Sequence, residues 1–401
     1  MEHPRELVPV AIYVHFPFCL RKCPYCDFVS YDDSDIDHGD YIESILGELA
    51  IVDFWGGGRE AVSIYIGGGT PSLMTPKLVD TLIEGIHRRL PMSSDAEVTI
   101  EVNPATADAA DMSAWRAGGV NRISLGVQST DPATLETLGR LHTAEEGLAA
   151  YELARRAGFD VVSVDMIFGT PGQRREIWMA DLGRVIDREP DHLSAYMLKA
   201  PSGWETPPDE EVADMYLSTV ESLDAAGLMQ YEVSNFARAG KECRHNIVYW
   251  KKGDYIGLGV AAHSHLKAAN FINAGTETTH PAGKMRKKDT ASLRWWNVTD
   301  PEEYMDHIDN EGNAVEGAES IDVERDINES LLLGLRLREG IDAGVLDTPH
   351  RRAVEIVGAQ LAEVGLVSFD GTRVYLTPRG MLLADEIAAK IASAVSDTPA
   401  S

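Results

Sequence analysis

Val14-His15-Phe16-Pro17-Phe18-Cys19-Leu20-Arg21-Lys22-Cys23-Pro24-Tyr25-Cys26-Asp27-Phe28 holds three of the four cysteines in a chain of 401 residues. Their spacing is C-x3-C-x2-C, directly after a short apolar run. Three thiolates on one loop can hold a metal, yet three is one ligand short of a closed site. A [4Fe–4S] cluster bound this way keeps one iron open for an outside chelate. The alternative is zinc, with His15 or His38 completing a tetrahedron. A clustered odd number of thiols reads as metal binding rather than disulfides. The first residues show no signal-peptide pattern, so the expected compartment is the cytoplasm.

Outward from this loop, short β-rich runs alternate with helical patterns. Strands are predicted at Ala11–His15, Val62–Ile66, Glu97–Val102, Asn121–Gly126, Asp160–Met166 and His192–Met197. Several are apolar on both faces, as parallel strands covered by helices should be. Tyr41–Phe54 and Leu78–Leu90 repeat apolar residues at three- and four-residue spacing. Thr75-Pro76 is a cap followed by proline at the first helical position. Ala144–Ala157 stops at Gly158, and Asp209–Ala226 at Gly227. Six β-then-α units predict an α/β fold, a partial (β/α)6 TIM-like barrel. The cysteine loop, Gly67–Pro71, Glu101, Gln128 and Asp165 all follow or end strands. They therefore gather at the C-terminal mouth, where barrel enzymes build their sites.

Glycines 67 to 69 let a ligand approach the backbone closely, or simply make a tight turn. They form neither a dinucleotide fingerprint nor a Walker loop. Charge excludes other classes. Lys and Arg number 36 against 64 Asp and Glu, a net of −28. Nucleic acid binding through phosphates is not expected, and no apolar run is long enough to cross a membrane. The basic cluster Lys284–Lys288 reads as a solvated loop.

C-x3-C-x2-C with Tyr25 before the last cysteine, then Gly67-Gly68-Gly69-Thr70-Pro71, resembles the radical S-adenosylmethionine (SAM) superfamily. Within it, the stretches Tyr13–Cys19, Glu101–Pro104, Gly126–Ser129, Asp165–Gly172 and Tyr231–Phe236 are similar to the oxygen-independent coproporphyrinogen III oxidase group. The resemblance implies a [4Fe–4S] cluster on Cys19, Cys23 and Cys26 whose open iron chelates SAM. It implies SAM contacts from Tyr13, Tyr25, Gly68, Gly69, Thr70, Glu101, Gln128, Arg140 and Asp165. An electron donor is implied if SAM is cleaved. The oxidases carry a further cysteine two residues after the third ligand, where this chain has Phe28. That difference, with His245-Asn246-Ile247-Val248-Tyr249-Trp250, resembles the HemW heme chaperone branch. This branch implies heme as cargo, acceptor hemoproteins as partners, and His245 as the candidate heme ligand. Cys243 is an alternative ligand. The stretch Gly257-Leu258-Gly259-Val260-Ala261-Ala262 is closer to the oxidases, so a porphyrinogen oxidase is the alternative activity.

The domain boundaries expected are 1–235 for the barrel, 236–320 for a segment with a loop or lid over 267–295, and 321–401 for a small α+β module. In that module Asp326–Arg338 and Arg379–Ala392 are predicted helices. Leu366–Phe369 and Val374–Thr377 form a hairpin turning at Asp370-Gly371, an arrangement similar to a winged helix.

Overall fold

A computed structural model of the chain describes residues 7–54, 58–270, 279–280, 283–284, 290–370 and 372–398, without the side chains of 51–54, 270, 279–280 and 283–284. Most of the expected 267–295 loop lies outside these residues, as does Gly371.

The six predicted strands are present: β1 (Val8–Phe16), β2 (Arg59–Gly68), β3 (Met92–Val102), β4 (Arg122–Gln128), β5 (Val161–Phe168) and β6 (His192–Met197). Between them run α1 (His38–Phe54), α2 (Pro76–Arg89), α3 (Ala109–Ala117), α4 (Pro132–Thr137), α5 (Ala144–Ala157) and α6 (Arg175–Ile186), with α7 (Asp209–Ala225) after β6. Local chemistry sets the helix ends. Thr75 caps α2 by accepting from Leu78 N, and Gly158 ends α5 at φ 81°. Then come β7 (Met229–Gln230), β8 (Asn235–Ala237), α8 (Arg244–Trp250), β9 (Tyr255–Leu258) and β10 (His263–Lys267). Two-residue strands β11 (Thr279–His280) and β12 (Gly283–Lys284) precede β13 (Ser292–Asn297), α9 (Pro301–Glu311) and β14 (Val315–Ile321).

The chain forms two compact units interleaved in sequence, Met1–Val164 with Gly253–Asp322, and Asp165–Lys252 with Val323–Ser401. The division falls inside β5. In the first unit the strand order is β14-β13-β10-β9-β1-β2-β3-β4, then the start of β5. The pairs β1–β2, β2–β3, β3–β4 and β1–β9 are parallel. Strands β9, β10, β13 and β14 continue antiparallel. Ile12, Val14, Ile64, Ile66, Ile100 and Ile123 lose all or nearly all water contact. Each such side chain stabilises the sheet by about 1.5–3 kcal/mol. Register then aligns the strand ends: Phe16 lies opposite Gly68, and Ile66 opposite Ile100.

In the second unit, β8 is antiparallel to both β6 and β7. Its C-terminal portion has α10 (Val323–Gly334), β15 (Ile341–Asp342), α11 (Thr348–Glu363), β16 (Val367–Asp370), β17 (Arg373–Leu376), α12 (Pro378–Met381) and α13 (Ala384–Ser396). The hairpin expected there is β16–β17, to which β15 adds an antiparallel edge. The last expected helix is two helices, interrupted at Leu382–Leu383.

Candidate functional site

Backbone hydrogen bonds fix the cysteine loop at its base. Tyr31 N donates to Pro17 O and Cys19 N to Tyr31 O, both at 2.9 Å. Cys26 N donates to Cys23 O at 3.0 Å, closing the turn between those two ligands. Lys22 Nζ binds Phe28 O at 3.0 Å and Ser30 O at 3.3 Å. Arg21 Nη2 ties the loop to Gly139 O at 2.5 Å. All three thiols are free and half-buried. Burial pushes the Cys19 and Cys26 thiols up, while hydrogen bonds from Thr70 and Ser30 draw Cys19 back. Phe28 is 62 % exposed.

The glycine edge lies directly beside this loop. Gly69 N donates to Phe16 O and Thr70 N to Phe18 O, both at 2.8 Å. Gly68 has φ +117°, and a Cβ there would stand 2.7 Å from the His15 ring. A Cβ on Gly69 would stand 2.7 Å from Pro17 and Phe18 backbone atoms. The glycines are therefore required by close backbone approach as well as by conformation. Glu101 fixes the same edge from β3. Its Oε1 accepts from the Tyr65 hydroxyl at 2.8 Å and its Oε2 from Gly68 N at 3.1 Å. A carboxylate can accept further donors beyond these two. Tyr13 stacks on Tyr65 with centroids 6.3 Å apart. Burial, followed by the charge of Glu101, pushes its hydroxyl up.

Gln128 and Arg140 complete the group. Gln128, the last residue of β4, has φ 66°, a strained value for a residue with a side chain. Its buried Oε1 has no hydrogen-bond partner, and neither has Arg140 Nε. Arg140 donates from Nη1 to Cys23 Sγ at 3.5 Å and from Nη2 to Gly126 O at 2.9 Å. Tyr25 hydrogen-bonds to Arg140, and burial pushes its hydroxyl up. Tyr13, Tyr25, Gly68, Gly69, Thr70, Glu101, Gln128 and Arg140 thus lie in the same unit as the cysteine loop. Asp165 and His245 belong to the other.

Three thiols on one loop, with Arg140 against one of them, are a donor set that fits an iron–sulfur cluster. The two histidines that could complete a zinc site have other partners. His15 is engaged at both ring nitrogens, with Val29 O at 2.8 Å and the Tyr13 hydroxyl at 2.9 Å. His38 stacks on Phe18 at 4.9 Å. The orphaned Gln128 carbonyl and Arg140 N–H are groups that a polar ligand beside the cluster would satisfy.

In the second unit, Asp165 lies half-buried on β5. His245 is 1 % exposed, and its Nε2 bonds the Tyr249 hydroxyl at 2.8 Å one helical turn on. Burial lowers its pKa to about 3, so the imidazole is neutral. Arg336 stacks over Trp250 at 4.8 Å. Cys243 is buried, and its N–H donates to the Tyr231 hydroxyl at 3.3 Å, which also bonds His192 at 2.8 Å.

Sequence reasoning missed a buried carboxylate behind the cysteine loop. Glu48 Oε2 accepts from Gly259 N at 2.8 Å and from the Tyr304 hydroxyl at 2.6 Å, and its Oε1 from Asn297 Nδ2 at 2.6 Å. Burial raises its pKa to about 7 against the pull of those donors. The available signal is a charged residue seven positions after Tyr41, on the apolar stripe of α1.

Comparison with known proteins places this geometry. Residues 13–182 match the family model for the radical SAM superfamily, and 321–383 that for the HemN C-terminal domain. Heme chaperone HemW of Escherichia coli (strain K12) is 38% identical over 304 residues, 74% of this chain and 80% of that protein. Heme chaperone HemW of Mycobacterium tuberculosis (strain H37Rv) is 32% identical over 393 residues, 94% of each chain. Among solved structures, coproporphyrinogen III oxidase (HemN) from Escherichia coli superimposes with a TM-score of 0.79 at 23% identity, covering 96% of this chain and 90% of that one. This likeness shows the fold: the α/β radical SAM fold followed by a C-terminal domain.

Proposed function

The chain belongs to the heme chaperone HemW family within the radical SAM superfamily, and from that premise we propose that it binds a [4Fe–4S] cluster, SAM and heme and delivers the heme to acceptor hemoproteins. Cys19, Cys23 and Cys26 ligate the cluster. Tyr13, Tyr25, Gly68, Gly69, Thr70, Glu101, Gln128 and Arg140 hold SAM. When bound, the cluster supplies an open iron for the amino-acid end of SAM and an electron for its cleavage, which calls for an electron donor.

The chain's own residues do the positioning. Gly68 and Gly69 let this edge pack directly on His15 and on the Pro17–Phe18 backbone that leads into the cysteine loop, and Glu101 keeps the edge rigid through Gly68 N and Tyr65. Gln128 offers an unused buried carbonyl to a ligand ammonium or hydroxyl. Arg140 donates to Cys23 Sγ and so places a cation beside the sulfurs that would hold the cluster.

His245 serves as the heme ligand in this reading. For that role its Nε2 has to leave the Tyr249 hydroxyl, so ligation is coupled to a local rearrangement of α8. Residues 1–235 act as the cluster and SAM domain, 236–320 as the segment that follows it, and 321–401 as a module facing protein partners. No helix among the described residues is long and apolar enough to cross a membrane. Free thiols that must stay reduced suit the cytoplasm.

The observation that carries the reading is the three-thiol loop packed on the glycine edge beside Arg140, with solvent-exposed Phe28 where the oxidases add a cysteine. The test is anaerobic reconstitution with iron and sulfide, followed by heme titration read at the Soret band. Saturable binding of heme and its transfer to an apo-hemoprotein are expected. Absence of any Soret shift, together with porphyrinogen oxidation in the presence of SAM and a reductant, would overturn the proposal in favour of the oxidase.

A further inference from the structure

Behind the cysteine loop, a chain of hydrogen bonds runs from a buried carboxylate to the loop's base. Glu48 on α1 accepts from Gly259 N and, through Asn297 Nδ2, is joined to Gly259 O at 2.8 Å. Glu48 therefore fixes both backbone groups of Gly259. That residue sits at φ +96°, and a Cβ on it would stand 2.6 Å from His15 O and 2.7 Å from the Tyr41 hydroxyl. The turn is thus pressed against the end of β1.

The next residue continues the chain. Val260 N donates to the Tyr41 hydroxyl at 3.0 Å, which in turn donates to His15 O at 3.0 Å. His15 carries the connection forward. With Nε2 bonded to Val29 O, its proton lies on that nitrogen, and Nδ1 accepts from the Tyr13 hydroxyl. Val29 is three residues past Cys26. The His15 ring also fills the space above Gly68. One side chain therefore touches the far end of the cysteine loop, the glycine edge and Tyr13.

Every partner of Glu48 in this set is a donor, and two of them, Gly259 N–H and the Asn297 amide, cannot reverse. A carboxyl group satisfies all three whether or not it is ionised, because its proton can point to the Tyr304 hydroxyl, which can reverse. A glutamine would aim its own N–H2 at a fixed donor or surrender one bond.

We propose that Glu48 is a positioning residue for the cluster, setting the height of the cysteine loop over the glycine edge through the Gly259–Val260 turn, Tyr41 and His15. The inference rests on the cluster being held by the cysteine triad. It goes beyond that assignment by naming a residue that touches neither cluster nor SAM. Outer-shell partners of metal ligands matter because they orient the ligands and tune the metal.

The test uses full-length protein reconstituted anaerobically, with three variants and two readouts. The readouts are the electron paramagnetic resonance signature of the reduced cluster and the resistance of its iron to a chelator. Glu48→Gln and Tyr41→Phe both cut the path. Each should change the resonance signature and weaken iron retention roughly tenfold, the lower end for loss of an outer-shell partner. Tyr304→Phe removes a bond to the same carboxylate but lies off the path. It should lower the melting temperature and leave the signature unchanged. Rigid support of the core alone would move melting temperature in all three and the signature in none, which would overturn the proposal. Should Glu48→Gln fail to fold, Tyr41→Phe decides by itself, because it keeps the carboxylate and its three donors. A wild-type chain that takes up no iron–sulfur chromophore would refute the cluster assignment instead, a result distinct from an unchanged signature in the variants.

Discussion

Replacing Gly68 by alanine tests whether the glycine edge is required by backbone conformation, by close approach, or by both. Its φ of +117° is disallowed in practice for a residue with a Cβ; holding it there costs on the order of 1–3 kcal/mol. The new methyl would also stand 2.7 and 2.8 Å from two His15 ring atoms and 3.0 Å from Phe16 O. Overpacking of that kind costs about 1–3 kcal/mol more. The expected loss for Gly68→Ala is therefore roughly 2–6 kcal/mol. Gly58→Ala is the matched comparison, since Gly58 has φ +101° with nothing within 4 Å of the new Cβ. Urea unfolding at unchanged m-value should give the strain cost alone for Gly58→Ala and a clearly larger loss for Gly68→Ala. Because the methyl displaces the His15 ring, Gly68→Ala should also retain less iron after reconstitution. Equal losses of stability in the two variants would refute the close-approach argument.

Cys19→Ala, Cys23→Ala and Cys26→Ala should each abolish the iron–sulfur chromophore while Cys243→Ala keeps it; full iron content in the Cys23 variant, measured by metal analysis, would refute the ligand assignment. Glu48 binds its proton more tightly in the folded chain than in the unfolded one, since its pKa is raised from 4.5 to about 7. Its contribution to stability is therefore fully present below pH 4.5 and is lost as pH rises through 7, an effect of about 3 kcal/mol. Unfolding free energy followed from pH 4.5 to 7.5 should show this fall, and Glu48→Gln should remove it from the profile. Tyr249→Phe frees His245 Nε2 from its 2.8 Å hydrogen bond and should tighten heme binding in a Soret titration; weaker binding would mean that the phenol takes part in holding heme.

The strand ends and the residues on them were legible because each carries its signal locally. The apolar runs of β1 to β4 differ in period from the helices between them, and glycine, glutamate and glutamine stand where the runs stop. Thr75-Pro76 and Gly158 marked helix ends by capping chemistry that acts over three or four residues. Strands β9, β10 and β13 were not legible. β9 is Tyr-Ile-Gly-Leu, with a glycine where a strand signal needs a side chain, and β10 alternates histidine with serine and leucine. They are strands because β1 offers an edge on which to pair, which is a tertiary cause. The interleaving of the two units is hidden for the same reason. Phe28 and His245 drew attention through family likeness. That His245 is enclosed with its nitrogen occupied follows only from the way α8 packs.

The residues that meet Glu48 lie 211, 249 and 256 positions later in the chain. At roughly 5–20 residues per second, Tyr304 is synthesised on the order of 10–50 s after Glu48. The three loop cysteines are translated more than 200 residues before the Gly259–Val260 turn that meets Glu48 and Tyr41. A growing chain therefore presents its thiols well before it can present a site. Cluster insertion is therefore expected after synthesis, and a chain cut short of residue 297 keeps the three loop cysteines while losing two of the three donors to Glu48.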